Sequence, residues 1–289
     1  MHPSNEATVF RLPKLARKIV REFRRLRARA NLTRFPAQPN APRHALPGEL
    51  TISLTSYPGR FAILPLTLKS LLDQTVRPDR VVLWIAHDHL DLLPRSIMAL
   101  QNDIFSVRAC EDLRNFKKIL PSLGAFPDSF ILIADDDTYY PKDWLKSLLD
   151  AYDPGQPSIV CHRAHRLAYA PDGSLAPYRT WHYDVSDPQS TVPSTDLLPT
   201  GNGGVLYPPR SLPPQTSDLA LIRSLSPTSD DVWLFFMWRQ NGWRVRRAGG
   251  KKRHFVEWAR AKSGSLRLLH RDGKKDEHLQ TMSNYFGTP

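Results

Sequence analysis

The alternation of apolar and polar stretches predicts a series of strands and helices in the first part of the chain. Two runs, Arg80–Ala86 and Phe130–Ala134, are apolar almost throughout and of strand length, as strands buried on both faces of a sheet are. Further strands are predicted at Leu50–Thr55, Phe105–Arg108 and Ser158–Cys161. Apolar residues at helical spacing predict helices over 61–74, around 116–120 and after Pro141. This order predicts an α/β fold with an open, mostly parallel sheet and helices on both faces.

The second part of the chain is less regular. Between Pro171 and Gly204 there is little periodicity, and a stretch of this kind inside a domain is usually functional or disordered. The aromatic residues within it favour a function. A helix is predicted to begin at Asp230, directly after the capping residues Thr228 and Ser229.

The first segment predicts a basic amphipathic helix. Its apolar residues recur at spacings of three and four between lysines and arginines, at Leu12, Leu15, Ile19, Phe23 and Leu26. Three interpretations are open: a helix lying in an anionic membrane surface, a solvated helix that packs its stripe on the domain, and a transit peptide. We expect four units: the helix (1–34), a Pro-rich linker (35–48), the main domain (49–250) and a basic tail (251–289).

Composition and charge narrow the functional class. The chain has 289 residues, of which 41% are hydrophobic, as in a soluble globular protein with a sizeable core. No apolar run reaches the ~18 residues of a membrane span, no secretory signal is recognisable, and the isolated Cys110 and Cys161 form no disulfide framework. An intracellular protein is therefore expected. The net charge of +12 is concentrated at the two ends, which is not the continuous basic stripe of a nucleic-acid-binding protein.

Three consecutive carboxylates, Asp135, Asp136 and Asp137, directly follow the apolar strand Phe130–Ala134. Ligands in open α/β sheets bind beyond the carboxyl ends of the strands. In an extended segment Asp135 and Asp137 point to the same side, so this pair is the predicted site for Mg²⁺ or Mn²⁺, which prefer oxygen ligands. The alternative is an acidic turn that caps the helix after Pro141.

Together with other blocks, the three aspartates resemble a known family. The sequence is similar to bacterial glycosyltransferases of the GT-A fold, close to the broad family 2 type, over residues 50–243. The other matching blocks are Ile52–Arg60, Ser70–Thr75 with Pro78–Val82, Gly201–Gly204, and Asp230 with Asp231. The resemblance implies a Rossmann-like GT-A sheet, to which the N-terminal helix is added. It also implies a nucleotide-sugar donor, a divalent metal ion, and a glycan or lipid-linked acceptor.

The resemblance further implies which residues bind the donor. In the family, the loop after the first strand holds the nucleotide, and its counterpart here contains Thr55, Tyr57 and Arg60. Asp136 is counted with these nucleotide contacts, turned away from the metal. Lys117, or its neighbour Lys118, is the candidate contact to the diphosphate, although a lysine pair on a helix is more often solvated.

Asp230 and Asp231 are the candidates for the catalytic base. Inverting transfer needs a carboxylate that accepts the proton of the acceptor hydroxyl. A carboxylate in the first turn of a helix is stabilised as the anion by the helix dipole. The ordinary alternative is that both residues only cap the helix. We favour Asp231 as the base.

Other candidates keep two interpretations each. Gly203 and Gly204 indicate close backbone approach, either beside a donor or acceptor sugar or in an ordinary turn. Trp181, with its neighbours His182 and Tyr183, either stacks on an acceptor sugar or packs locally. The remaining candidates are third metal ligands from the tail, or solvated histidines, at His254 and His270.

Two other functions compete with glycosyl transfer. Phosphatases of the haloacid dehalogenase type also place a D-x-D motif after a strand, but they have Thr or Val where this chain has Tyr139. The other is a non-enzymatic basic protein that binds nucleic acid. The resemblance favours the transferase. By family analogy it acts in the synthesis of a surface polysaccharide, lipopolysaccharide or capsule, as a cytoplasmic enzyme peripheral to the bacterial inner membrane.

Overall fold

The helices and strands of the chain are seen in a computed structural model that describes residues 14–36, 38, 40–250, 252–258 and 273–289. The α-helices are α1 (Lys14–Asn31), α2 (Leu64–Leu72), α3 (Arg95–Met98), α4 (Leu120–Ala125), α5 (Trp144–Leu149), α6 (Leu219–Leu225), α7 (Asp230–Gln240) and α8 (Lys274–Phe286). The strands are β1 (Leu50–Thr55), β2 (Arg80–Ala86), β3 (Phe105–Cys110), β4 (Phe130–Ile133), β5 (Thr138–Tyr139), β6 (Ile159–Cys161), β7 (Ala164–Arg166), β8 (Leu197–Pro199), β9 (Val205–Tyr207), β10 (Val245–Arg247) and β11 (Val256–Glu257). Short 3-10 helices include Pro58–Arg60 and Arg114–Lys118.

A seven-stranded sheet lies at the centre, in the order β10-β6-β9-β4-β1-β2-β3. β3, β2, β1 and β4 are parallel to one another, and β10 is parallel to β6. β9 alone breaks this direction, since it pairs antiparallel with both β4 and β6. The predicted α/β fold with a mostly parallel sheet is confirmed.

Both faces of the sheet are buried, which explains the continuous apolar runs. On β4, Ile131 and Ile133 belong to one hydrophobic cluster, while Phe130 and Leu132 belong to a second cluster on the opposite face. Successive side chains of a strand point to opposite faces, so a strand between two cores has no polar side. α7 packs in the first cluster, and α2 and α5 pack in the second.

The antiparallel strands β5 and β11 form a small ribbon beside the main sheet, with Val256 opposite Tyr139 and Glu257 opposite Thr138. This β5–β11 ribbon continues directly from Asp137, so it brings part of the predicted basic tail against the three aspartates. On its other side the ribbon carries α1, where Ala28 packs with Trp258 and Tyr139. The division into helix, linker, domain and tail stays a prediction.

The apolar stripe of α1 faces solvent. Ile19, Phe23 and Leu26 are 61%, 67% and 65% exposed. The interpretation that this stripe packs on the domain is therefore wrong for these three residues; Leu12 and the side chain of Leu15 lie outside the described residues. Within the described ranges, no helix combines the length and the apolar character that crossing a bilayer requires.

We expect Gly204→Ala to destabilise the fold. Gly204 has φ +94°, and a Cβ there would lie 2.7 Å from the ring of the fully buried Trp144. Left-handed strain and the forced shift of a buried tryptophan together should lower the free energy of unfolding by about 3 kcal/mol. Urea denaturation measures the effect. Gly124→Ala is the matched control, because that position has no atom within 4 Å of the added Cβ. Equal unfolding free energies for the two variants would contradict the packing argument.

Candidate active site

The carboxyl edge of the sheet fixes Asp135, Asp136 and Asp137, here called the aspartate loop. The ladder between β4 and β1 ends with a bond from the N–H of Ala134 to the carbonyl of Ser53 at 3.0 Å. The buried hydroxyl of Tyr140 then accepts a bond from the N–H of Asp135 at 2.7 Å. Burial and the charge of Asp135 raise the pKa of Tyr140 well above its ordinary value, so this hydroxyl stays protonated.

Asp136 turns into the protein. Its carboxylate accepts hydrogen bonds from Oγ of Ser56 at 2.5 Å and from the guanidinium of Arg60. Its carbonyl accepts one from Oγ1 of Thr67 at 2.9 Å. Burial raises the pKa of Asp136, against the opposing effects of Arg60 and Ser56. With these partners, Asp136 anchors the loop.

Asp137 shares Arg60 with Asp136. Nη2 of Arg60 lies 3.1 Å from Oδ2 of Asp137. Burial raises the pKa of Asp137 to about 6; Arg60 opposes this shift, and the charges of Asp135 and Asp136 add to it. From the β5–β11 ribbon, the N–H of Trp258 donates to the carbonyl of Asp137 at 2.7 Å.

Asp135 pairs with a different cation, Lys118. Asp136 and Asp137 lie in a turn, so the extended segment predicted for the three aspartates is wrong, and the pairing of Asp135 with Asp137 no longer follows from it. Nζ of Lys118 lies 3.3 Å from Oδ1 of Asp135 and 2.7 Å from Oδ2 of Asp230. Burial alone would lower the pKa of Lys118, but these two carboxylates, with Asp231, raise it well above its ordinary value. A buried lysine therefore joins the aspartate loop to the start of α7.

The two aspartates at the start of α7 have different surroundings. Asp230 accepts a hydrogen bond from the amide of Asn115 besides its ion pair with Lys118. Although burial opposes it, Lys118 lowers the pKa of Asp230. Asp231 accepts a hydrogen bond from the N–H of Gly201 at 3.0 Å, and burial with the charge of Asp230 raises the pKa of Asp231. Asp231 is thus the better proton acceptor of the pair near neutral pH.

A lysine from the C-terminal helix α8 approaches Asp231. Nζ of Lys275 lies 4.0 Å from Oδ2 of Asp231 and 4.5 Å from the ring centroid of Tyr178. Burial lowers the pKa of Lys275, against the opposing charge of Asp231. The predicted tail therefore contributes a side chain to the site.

The glycines of the turn 201–204 lie close to two kinds of neighbour. A Cβ on Gly201 would lie 2.7 Å from Nζ of Lys118, 3.4 Å from Oδ1 of Asp135 and 3.6 Å from Oδ1 of Asp231. Gly201 therefore lies between the two groups of carboxylates. Gly203 and Gly204 approach protein side chains instead: their added Cβ atoms would each lie 2.7 Å from a ring, that of Phe255 and that of Trp144. Packing alone explains why these two positions are glycines.

The residues predicted to contact the donor nucleotide and its diphosphate have partners within the protein. Oγ1 of Thr55 donates to the carbonyl of Trp84 at 2.8 Å. The Tyr57 ring lies beneath the Arg60 guanidinium, at 5.5 Å. Lys117 is buried and pairs with Asp112, so Lys118 is the lysine that faces the carboxylates.

Trp181 does not present a face to a sugar. It is 3% exposed, belongs to the core cluster that contains α7, and donates its Nε1–H to the carbonyl of Ala176 at 2.8 Å. The packing interpretation is therefore the one that the structure supports for this residue. Its neighbours His182 and Tyr183 are exposed, as is His254, while His270 lies outside the described residues.

The oxygen ligands of the loop fit a hard divalent ion. Asp135 and Asp137 offer carboxylate oxygens only, and the Asp135 side chain, 27% exposed, is the most open of the three. In the part of the chain that the structure describes, no group of three His, Cys, Asp or Glu is arranged to hold a metal ion. Mg²⁺ is commonly bound by one or two carboxylates together with water and substrate phosphates, so two ligands are consistent with such an ion.

Comparison with solved structures identifies the fold. The mannosyltransferase PcManGT from Pyrobaculum calidifontis, solved in complex with GDP-Man and Mn²⁺, is similar over 93% of this chain and 72% of its own, with a TM-score of 0.51 and 14% identity. The sheet has a GT-A-type fold. At this identity the similarity establishes architecture, and the chemistry has to follow from the site.

Two further solved structures are similar at lower scores. 4-Diphosphocytidyl-2C-methyl-D-erythritol synthase from Anaerococcus prevotii covers 79% of this chain and 99% of its own, with 12% identity and a TM-score of 0.45. The inositol-1-phosphate CTP transferase from T. maritima covers 82% and 96%, with 12% identity and a TM-score of 0.42. No protein-family model matches the chain, and no curated protein sequence matches it.

Several residues of the candidate site were not predicted from the sequence. They are Ser56, Thr67, Asn115, Tyr140, Trp258 and Lys275. Each contacts a carboxylate or the backbone beside one, and all but Tyr140 do so from an element distant along the chain. Ser56 alone had a signal, because it lies inside the matching block Ile52–Arg60. The others have no motif of their own.

Proposed function

We propose that this chain is a metal-dependent glycosyltransferase that uses a nucleotide-sugar donor. The observation that carries the proposal is the Lys118 bridge, 3.3 Å from Asp135 and 2.7 Å from Asp230. This lysine joins the aspartate loop, whose carboxylates could bind a metal ion, to Asp230 and Asp231, one of which could act as a base. Both groups lie at the same edge of a GT-A-type sheet. Such a site has what glycosyl transfer requires: a means to stabilise a leaving diphosphate and a base for the acceptor.

On the donor side, Asp135 and Asp137 would hold the metal ion. When bound, such an ion supplies Lewis-acid stabilisation of the departing nucleoside diphosphate. Support comes from the similar mannosyltransferase, which was solved with GDP-Man and Mn²⁺. Arg60 and Asp136 keep the aspartate loop in position, and Thr55 and Tyr57 would contact the nucleotide.

The charge of Lys118 also serves the donor. Its ammonium stays protonated and lies 3.3 Å from Asp135, so its charge is placed beside a carboxylate that would hold the metal ion and next to the diphosphate. Lys117 pairs with Asp112 instead, which belongs neither to the aspartate loop nor to the start of α7. We therefore assign the diphosphate contact to Lys118.

On the acceptor side, Asp231 would be the base. Its carboxylate accepts the proton of the acceptor hydroxyl as the hydroxyl oxygen bonds to the anomeric carbon and the bond from that carbon to the diphosphate oxygen breaks. Asp230 is less suited, because Lys118 and Asn115 already occupy its oxygens and lower its pKa. Attack from the face opposite the leaving group inverts the anomeric centre, so we propose an inverting enzyme of the family 2 type.

We also propose the biological setting by family analogy. The acceptor is a glycan or a lipid-linked glycan, and the product belongs to a bacterial surface polysaccharide such as lipopolysaccharide or capsule. The reaction then takes place in the cytoplasm, at the inner face of the membrane.

A thermal-shift panel tests the proposed function. The protein is heated with GDP, UDP, CDP or ADP, each with Mn²⁺, with Mg²⁺ or with EDTA. We expect one diphosphate to raise the Tm by about 5 °C at 100 times its Kd, and only when a metal is present. The corresponding nucleoside monophosphate is the control, because it lacks the second phosphate. If the protein hydrolyses phosphate esters and no diphosphate stabilises it, the proposed transferase function is wrong and a phosphatase takes its place.

A further inference from the structure

The exposed stripe of α1 is placed on the side of the helix that faces away from the domain. Ala28 and Leu32 are buried against the domain, whereas Ile19 and Phe23 are exposed. Ala28 follows Ile19 by nine positions, which is about two and a half turns of an α-helix, so the two lie on opposite sides of α1, and Leu32 directly follows the end of the helix. Surface helices of globular proteins normally turn their apolar stripe inward. In α1 the orientation is reversed, so domain packing does not explain the stripe.

Cations surround this stripe. α1 contains a single acidic residue, Glu22, among lysines and arginines. Lys18, Arg24 and Arg27 are exposed beside the stripe, while Arg25 turns back to the domain and donates from Nε to the carbonyl of Glu257 at 2.9 Å. An outward apolar stripe with cationic flanks is the arrangement of helices that lie in the interface of anionic bilayers.

A second copy of the chain fits this surface poorly. Three exposed side chains are far smaller than the about 800 Å² per partner that stable interfaces bury. Two such helices face to face would also bring arginine against arginine. An anionic lipid surface can bury the apolar stripe among its acyl chains and pair the flanking lysines and arginines with its headgroups.

We propose that α1 docks in the interface of an anionic bilayer, with Ile19, Phe23 and Leu26 inserted among the lipids. This deepens the proposed function, because it places the acceptor at the membrane; that part rests on the function above, whereas the docking does not.

The docked helix is linked to the aspartate loop through one residue. Trp258 packs with Ala28 of α1, and its N–H donates to the carbonyl of Asp137 at 2.7 Å. Its indole Nε1–H donates to Oγ1 of Thr67 at 3.1 Å, and Thr67 in turn donates to the carbonyl of Asp136. The candidate site therefore lies one layer of side chains from the membrane-docking helix, within reach of an acceptor anchored in that membrane.

Co-sedimentation with vesicles tests the docking. The full chain is mixed with vesicles of phosphatidylcholine alone or with phosphatidylglycerol added. We expect binding to the anionic vesicles only. The triple variant Ile19→Gln, Phe23→Gln, Leu26→Gln should bind more than about 10-fold more weakly, since it loses the inserted side chains. Leu92→Gln removes a leucine elsewhere that is 57% exposed, against 65% for Leu26, and should bind as the wild type does.

The contribution of charge is tested separately. The double variant Arg24→Gln, Arg27→Gln should lower the affinity for anionic vesicles about 25-fold, because each basic residue near such a surface contributes about a factor of five. Arg95→Gln is the control, on the exposed surface of α3. Circular dichroism verifies that the variants are folded.

Three outcomes would overturn the proposal. The first is equal vesicle binding by the wild type and the triple variant, and the second is equal binding to neutral and anionic vesicles. The third is that the wild type does not bind vesicles but sediments as a dimer, whereas the triple variant sediments as a monomer. The nucleotide thermal shift is independent of these results. Vesicle binding without that shift would remove only the proposed function, and the shift without vesicle binding would remove only the docking.

Discussion

Asp231→Asn is expected to abolish transfer, lowering kcat by about three orders of magnitude, while donor binding stays unchanged. An amide cannot accept the proton of the acceptor hydroxyl, but it keeps the shape of the carboxylate and its bond from the N–H of Gly201. The assay is release of the nucleoside diphosphate from the donor, with water or a glycan as acceptor. Donor binding is followed by the metal-dependent thermal shift.

Asp230→Asn is the matched control for the adjacent position. It removes the ion pair of a buried lysine, so we expect lower thermal stability and a weaker diphosphate contact at Lys118. Some transfer should remain, because the base is intact. If Asp230→Asn instead abolishes transfer with full stability and full donor binding, and Asp231→Asn is active, the assignment of the base is wrong.

Asp137→Ala should remove the metal dependence of donor binding. The change deletes one of two carboxylate ligands and leaves Arg60 paired with Asp136 alone. We expect at least about 100-fold weaker Mn²⁺ affinity, measured by calorimetry in the presence of the diphosphate, and loss of the thermal shift. The fold should survive, since the variant also relieves repulsion among buried carboxylates.

Asp150→Ala serves as the control for this change. Asp150 is an exposed aspartate at the end of α5 that pairs with Lys146. It should leave Mn²⁺ affinity unaltered. Unchanged Mn²⁺ affinity in Asp137→Ala would remove Asp137 from the metal site.

The fold could be predicted because its signals are local. A strand such as Arg80–Ala86 is apolar on both faces, and its bounds in the structure agree with the predicted ones. The order of strands and helices then permits few arrangements. Likewise Asp230 begins α7 where the capping residues predict a helix start. These features depend on neighbours in sequence.

The surroundings of the site could not be predicted in the same way. Lys117 and Lys118 are equivalent in sequence, and only the 3-10 turn that carries them decides which one faces Asp135. Trp181 lies in an aperiodic stretch, so no pattern shows that it folds back into the core. Lys275 reaches Asp231 only through the docking of α8. Each of these placements depends on contacts between distant segments.

The contacts that hold α1 and β11 beside the aspartate loop also close long loops in the described part of the chain. Arg25 and Glu257 are 232 positions apart, and Trp258 Nε1 meets Thr67 across 191. Contacts of such separation have a large entropy of loop closure and tend to form after local ones during folding. The sheet can therefore assemble before α1 and β11 close over the aspartates. The stability of the sheet and the geometry of the aspartate loop can then be lost separately, and the second depends on the docking of β11, with Trp258, and of α1.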